Sequence, residues 1–212
     1  MIEQLAKPWG ELALYYDYAS KIKEGLVPYA DFFPEYPPLA LWLFKTANIF
    51  GQQWFTLMWY GMVALAILAT ICMIKKLKGN PYIFLAVILP LGGLFWDRFD
   101  IFPALMSLLA VYLAMRGNLW SFFALAAGVM LKIYPILLLP ILIGMFIKRG
   151  KHRELLIGLV IFAVSTFQLL SLNNLWEFHG HRGIQIESIR AIPKLFNKNS
   201  ITEYKHNSFE IK

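Results

Sequence analysis

Cysteine and charged residues are both scarce in this sequence. Cys72 is the single cysteine, which excludes an intrachain disulfide and a cysteine-based metal cluster. Charged residues make up 16% of the chain, whereas a soluble domain of this size carries about 25%. Residues 1–36 lack a basic start followed by an apolar core, so no cleavable signal peptide is expected. The patterns of serine hydrolases, zinc proteases and nucleotide-binding loops are also missing, which leaves those classes without support.

Apolar residues are abundant and fall in runs. They make up 58% of the chain, and the mean hydropathy is +0.55. Runs of this kind predict an all-α, polytopic membrane protein with about six transmembrane helices in the cell membrane. The predicted spans are residues 54–74, 82–95, 101–115, 119–131, 133–147 and 155–172.

The formal net charge is +7, which in a soluble protein would suggest nucleic acid as a partner. Here the basic residues lie between apolar runs rather than on one polar face, so we expect a lipid bilayer and no nucleic acid. Most of them then lie in cytoplasmic loops: Lys75, Lys76, Lys78, Arg116, Lys148, Arg149, Lys151 and Arg153.

The same count places Arg98 and Lys132 on the non-cytoplasmic side, together with the N-terminal region. A second arrangement fuses residues 119–147 into one helix with Lys132 inside the membrane. That arrangement moves the Lys148 cluster outside, against the charge rule.

Three segments follow from these patterns. Residues 1–51 are expected to form an external region with two interfacial helices, residues 52–172 the transmembrane domain, and residues 173–212 an external polar loop or tail. Residues 8–26 carry an apolar stripe at three- and four-residue spacing, which is typical of an amphipathic helix on a membrane surface or of a soluble helix packed on the rest. A short apolar helix is expected over residues 38–50.

Between these helices, residues 25–38 form a loop broken by four prolines. The loop carries two carboxylates, Asp31 and Glu35, among aromatic residues that include Tyr36. We interpret it as one wall of a substrate pocket at the bilayer surface.

Charged residues at the ends of apolar runs are candidates for chemistry. Arg98 and Asp100 either form an ordinary ion pair in a loop or belong to an anion site in which Arg98 holds a phosphate. Lys132 is either a lysine that extends from a helix end to the interface or a second phosphate ligand.

The segment HGHRG at residues 179–183 is another polar candidate. His179 and His181 are spaced poorly for one helical face, and no further ligand supports zinc, so no metal site is predicted. Arg182, Gln185 and Glu187 instead favour a polar lid over an anion or a sugar, the alternative being an exposed loop. Carboxylates can deprotonate a hydroxyl and cations can hold a phosphate leaving group, so sugar transfer from a lipid phosphate is one possibility among several.

Four blocks of the sequence resemble the polyprenyl-phosphate-mannose-dependent transferases of glycosyltransferase family 87, within the GT-C superfamily. The first is GLVPYADFFPEYPPL at residues 25–39, similar to the family's first external loop. The others are RFDIFPA at 98–104, KIYP at 132–135 followed by LLLP at 137–140, and HGHRGIQIES at 179–188. The blocks occur in register over most of the chain.

The resemblance implies an inverting membrane glycosyltransferase without a cofactor. Its donor would be a polyprenyl-phosphate-linked sugar, and its acceptor a glycan or glycolipid hydroxyl. The family places an acidic residue early in the first external loop as the base, and here that position holds Glu11 rather than Asp. Asp31 is the second candidate, with Asp17 and Glu35 also open.

The resemblance gives other residues substrate-binding roles. Arg98, Lys132 and Arg182 would hold the lipid phosphate, whereas Glu35 and Tyr36 would shape the sugar pocket. The remaining substrate-binding candidates are Asp100, His179, Gln185 and Glu187. The family has a transmembrane helix before this loop and more spans afterwards, so we expect either a fragment of such an enzyme or an inactive product. The alternative is a non-catalytic membrane protein, a transporter or an assembly subunit.

Overall fold

The computed structural model describes residues 10–172, 184–185, 202–205 and 208–211. The chain divides into two compact units, Met1–Ser171 and Leu172–Lys212. The described part of the first unit is built from α-helices and short 3₁₀ turns. Its first two helices belong to the same unit as the long apolar helices. The packing therefore shows no boundary at residue 51. The predicted division between residues 1–51 and 52–172 concerns their position relative to the membrane, and it stays a prediction.

The two N-terminal helices are shorter than the sequence predicts. Helix α1 spans Glu11–Lys23 and buries Leu12, Tyr15 and Ala19 on one face, as expected from their three- and four-residue spacing. Helix α2 spans Pro38–Ala47 and begins with a proline. Proline is accepted there because the first N–H of a helix has no intrahelical partner.

Two helices in the described residues are long and apolar enough to cross a membrane. Helix α3, Gln52–Lys76, has 25 residues and ends at Lys75 and Lys76. Helix α9, His152–Thr166, continues as a 3₁₀ turn, Phe167–Ser171. Both coincide with predicted spans.

Four other apolar stretches are shorter. Helix α4 (Pro81–Ile88) leads through a 3₁₀ turn (Leu89–Leu91) into α5 (Gly92–Asp97). They are followed by α6 (Ile101–Met115), α7 (Trp120–Leu131), a 3₁₀ turn (Tyr134–Leu138) and α8 (Leu139–Lys148). A helix of 15 residues such as α6 is about 22 Å long, less than the roughly 30 Å of a hydrocarbon core.

The chain breaks at Lys132, so a fused helix over residues 119–147 is not formed. Helix α7 ends at Leu131, and Lys132 is extended with φ −157° and ψ 138°. Pro135 then packs against Gly128 of α7, where a Cβ would lie 3.3 Å from the proline Cβ. The break places the lysine at a helix end.

Contacts at the ends of the helices sort the connecting turns into two groups. Arg149 donates to the Ala114 carbonyl at 2.5 Å, and Lys151 donates to that of Gly117 at 2.8 Å, which brings the turns after α6 and α8 together. Trp59, near the start of α3, instead donates to the Trp96 carbonyl at 3.0 Å. The turns after α6 and α8 are two that the charge count predicts on the same side of the membrane, and that orientation stays a prediction.

The second unit contains strands where the sequence predicts an irregular polar loop or tail. Strands β1 (Ile184–Gln185), β2 (Thr202–Lys205) and β3 (Ser208–Ile211) form an antiparallel sheet in the order β1-β3-β2. The register pairs Tyr204 with Phe209. The alternation over residues 201–211 is weak in the sequence, so a strand pair was missed.

Candidate functional site

The carboxylate of Glu11 is where three parts of the chain meet. Its Oε2 atom accepts hydrogen bonds from the hydroxyls of Tyr15 at 3.0 Å and Tyr36 at 3.3 Å. Its Oε1 atom lies 3.9 Å from Nη2 of Arg98. The carboxylate therefore has two neutral donors on one oxygen and a cation beside the other.

Helical periodicity and aromatic packing fix this arrangement. Tyr15 lies one turn after Glu11 on α1, so the two side chains share a face. Its ring stacks on Phe44 of α2 at 4.3 Å with an interplanar angle of 6°. It also meets the edge of Phe99 at 6.0 Å. Tyr15 is 1% exposed. Its ring is therefore held in the apolar core, and its hydroxyl lies at the edge of that core beside Glu11.

Local hydrogen bonds hold the proline-rich loop that supplies Tyr36. Asp31 accepts from the backbone N–H of Val27 at 2.7 Å. Tyr29 has a left-handed φ of 66°, which a non-glycine residue adopts only when other contacts hold it there. Its hydroxyl donates to the carbonyl of Tyr36 at 2.5 Å. The loop thus holds the backbone of Tyr36 through the Tyr29 hydroxyl.

A second ion pair lies beside the first. Lys132 Nζ is 2.5 Å from Oδ1 of Asp100, and both side chains are about 40% exposed. The ammonium also lies 5.2 Å from the ring centroid of the buried Phe99. Phe99 separates Arg98 from Asp100 in the chain, so one short turn carries parts of both ion pairs.

Burial keeps the two tyrosines protonated. Burial raises the pKa of Tyr15 well above its ordinary value, and the negative charge of Glu11 adds to the effect. Burial likewise raises the pKa of Tyr36, with further contributions from Tyr15 and Glu11. Both hydroxyls are therefore donors at neutral pH, because a phenol loses its proton only near pH 10 even in water.

An apolar cavity opens next to the ion pairs. It has a volume of about 260 Å³, is partly open, and is lined by α2, α6 and the end of α7. Two of its walls, Phe102 and Leu131, directly adjoin the polar turns that carry Asp100 and Lys132. A ligand with an anionic head and an apolar chain fits this juxtaposition. The lining residues are Leu39, Trp42, Leu43, Thr46, Phe102, Met106 and Leu131.

The structure brings together five of the predicted site residues: Glu11, Tyr36, Arg98, Asp100 and Lys132. They come from α1, the proline-rich loop, the turn before α6 and the break after α7.

The other predicted residues lie elsewhere or outside the described part. Asp31 is exposed and serves the turn at Val27, so its catalytic role stays a prediction. Glu35 is half-buried. Gln185 lies in β1 opposite Glu210, and only its backbone is described. His179, Arg182 and Glu187 lie outside the described residues.

Two residues of the site were missed by sequence reasoning. Tyr15 was treated as part of an apolar stripe, yet its four-residue spacing from Glu11 signals a shared helical face. Phe99 belongs to the RFDIFPA block but was given no role of its own, although its ring centroid lies 5.2 Å from the Lys132 ammonium. Among the described residues, no group of three or more metal-ligating side chains is close enough to hold a metal ion.

Comparisons of the chain with models of known protein families, with curated proteins and with solved structures give no match. The features that bear on function are the geometry of the ion pairs, the cavity and the resemblance of the four sequence blocks.

Proposed function

We propose that this chain is a membrane glycosyltransferase, or part of one, of the GT-C type. It transfers a sugar, mannose on the basis of the resemblance, from a polyprenyl phosphate to a hydroxyl of a glycan or glycolipid. The reaction takes place at the non-cytoplasmic face of the cell membrane. The four shorter apolar stretches, Pro81–Asp97, Ile101–Met115, Trp120–Leu131 and Tyr134–Lys148, cross the membrane together with the two longer helices.

The observation that carries the proposal is the approach of Glu11 to Arg98 beside the Asp100–Lys132 pair. Sugar transfer from a lipid phosphate needs a carboxylate base and cations that stabilise a departing phosphate. Both kinds of group are present here, and both are partly open to solvent. Arg98, Asp100 and Lys132 come from two blocks that are far apart in the sequence, and the two ion pairs bring these blocks together with Glu11.

In the proposed mechanism, Glu11 takes the proton of the acceptor hydroxyl while the oxygen attacks the anomeric carbon. The bond between that carbon and the lipid phosphate oxygen breaks, and the configuration inverts. The bonding electrons leave with the phosphate, which Arg98 and Lys132 hold. The Tyr15 and Tyr36 hydroxyls keep the carboxylate in position during the proton transfer.

The apolar cavity supports the choice of a lipid donor over a soluble one. Its walls are almost wholly carbon, and it adjoins the turn that carries Lys132. Apolar surface removed from water stabilises a bound chain by about 25 cal/mol per Å². The start of a polyprenyl chain placed there leaves its phosphate beside the cations.

The experiment replaces the base while preserving its shape. Glu11→Gln is expected to lower sugar transfer from radiolabelled polyprenyl-phosphate mannose by about 10²–10⁴-fold, because the amide cannot accept the proton. Donor binding should be retained. Glu24→Gln is the matched control, since Glu24 is exposed at the end of the same helix. A wild-type rate in the Glu11 variant places the base elsewhere, and a wild-type chain that transfers no sugar contradicts the proposed function.

A further inference from the structure

A second charged region lies in the turns after α6 and α8. These turns, with the last residue of α8 and the first turn of α9, carry five cations. The only acidic residue from position 101 to position 154 is Glu154. The cations form what we name the basic patch: Arg116, Lys148, Arg149, Lys151 and Arg153. None of them has a role in the proposed sugar transfer.

Backbone contacts hold the two turns of the basic patch together. Arg149 and Lys151 donate to carbonyls at the C-terminal end of α6, where the helix dipole favours cations. Gly117 has a left-handed φ of 64°, a conformation that favours glycine, at the point where its carbonyl accepts from Lys151. Arg149 and Lys151 thus link the two turns and bring the cations of the basic patch close together.

The other three cations remain available to a ligand. Arg116, Lys148 and Arg153 are exposed, and Arg116 extends over the ring of Tyr112 at 4.5 Å. Gathering like charges is unfavourable unless an anion neutralises them. The patch is therefore suited to an anionic partner.

Apolar side chains around the cations identify the kind of anion. Met115 and Ile147 each precede a patch cation in the chain, and they are 51% and 52% exposed. Trp120, in the first turn of α7, is 56% exposed with its ring against Phe123. An exposed tryptophan beside basic residues is typical of the level of lipid head groups. A ligand that satisfies both surfaces has an anionic head and apolar chains.

We propose that the basic patch binds the head group of an anionic phospholipid, with the lipid chains against the apolar residues beside it. The inference uses only the membrane insertion of the proposed function and does not depend on sugar transfer. Arg116, Lys148 and Arg153 bind the phosphate, whereas Arg149 and Lys151 maintain the shape of the site.

The test compares lipid binding to the full chain in detergent by native mass spectrometry. Wild type is expected to bind phosphatidylglycerol about tenfold or more tightly than phosphatidylcholine, because several cations act on the charged head group. The triple variant Arg116→Gln, Lys148→Gln, Arg153→Gln should lose this preference. Its melting temperature should not change, since the contacts of Arg149 and Lys151 between the two turns remain. Lys23→Gln with Lys45→Gln is the control, removing exposed cations outside the patch, and it should keep the preference.

Three results would overturn the proposal. They are equal binding of the two lipids by wild type, an equal loss in the triple variant and the control, and displacement of phosphatidylglycerol by inorganic phosphate at matching concentrations. The last outcome would mean a site for small anions rather than lipids. Repeating the measurement with Glu11→Gln separates the two ideas, because lipid preference should persist in that variant whether or not the wild type transfers sugar.

Discussion

At the scale of single residues, the site combines a carboxylate held by neutral donors with cations that are only partly neutralised. The Glu11–Arg98 separation of 3.9 Å is at the long end for an ion pair, so Arg98 keeps hydrogen-bonding capacity for another anion. Lys132 has its own carboxylate partner in Asp100. All four charged groups are thus paired yet partly exposed to solvent, as the proposed binding of a phosphate requires.

Lys132→Gln tests whether that cation serves binding rather than stability. Exposed ion pairs contribute only about 0–1 kcal/mol to folding, and this pair is about 40% exposed. The melting temperature should therefore change little, while KM for the polyprenyl-phosphate donor rises about tenfold or more. Lys21→Gln removes another half-exposed ion pair, with Asp17 on α1, and should leave KM unchanged. An equal rise in both variants would show a general charge effect instead.

Tyr15→Phe tests the burial of the phenol through the pH dependence of stability. The folded pKa of Tyr15 is raised above its unfolded value, so its contribution is complete below pH 10 and is lost as the pH rises above it. Above about pH 10, Tyr15 should lower the free energy of unfolding by about 1.4 kcal/mol for each pH unit. The variant should lack that part of the slope between pH 10 and 12.

At the scale of elements, the break between α7 and α8 is the feature that positions the second ion pair. Lys132 is extended between a helix and a 3₁₀ turn, and Pro135 of that turn packs on Gly128. The small glycine lets the turn fold back on its own helix. The Lys132 ammonium reaches Asp100 because of this fold-back.

Gly128→Leu should disturb both the packing and the ion pair. A Cβ at this position would lie 3.3 Å from Pro135 and 3.4 Å from Met106, so the added side chain overpacks the contact between α6, α7 and the turn. We expect a loss of about 1–3 kcal/mol in stability and weaker donor binding, measured by melting and by lipid pull-down. Gly144→Leu on α8 meets no atoms within 4 Å and should be tolerated. Equal melting temperatures for the two variants would contradict the packing argument.

At the scale of the whole molecule, the polar groups separate toward two ends of the helices in the first unit. Glu11, Asp100 and Lys132 lie at one end, whereas Arg149 and Lys151 lie with the turn after α6. The excess of basic residues in the second group predicts that it faces the cytoplasm.

Cysteine mapping tests this orientation, and the sequence is convenient for it because Cys72 is the only thiol. In a Cys72→Ser background, Ala30→Cys should react with a membrane-impermeant maleimide in intact cells. His152→Cys should react only after the cells are permeabilised. Both positions are exposed, so folding should not limit the reaction. Labelling of both from the same side would reject the orientation.

Helix bounds were predictable where charged residues stand at both ends of an apolar run, whereas the run over residues 82–95 forms two short helices joined by a 3₁₀ turn. Helix α6 begins and ends where predicted, between Asp100 and Arg116. The proximity of Glu11 to Arg98 was not derivable from periodicity, since it depends on how Tyr15, Phe44 and Phe99 pack. The strand pair in residues 202–211 was missed because its alternation is weak in the sequence.

The cavity beside Lys132 has a consequence for how long a donor lipid must be. At about 260 Å³, it is smaller than the 300–1,000 Å³ typical of pockets that enclose a whole drug-sized ligand. If the proposed lipid phosphate binds there, only the few carbons nearest the phosphate would fit inside, and the remainder of its chain would lie along the exposed faces of the neighbouring helices or in the surrounding lipid. The protein would then contact only the phosphate head and the first isoprene units. Donors that differ widely in total chain length should therefore support the same rate of sugar transfer.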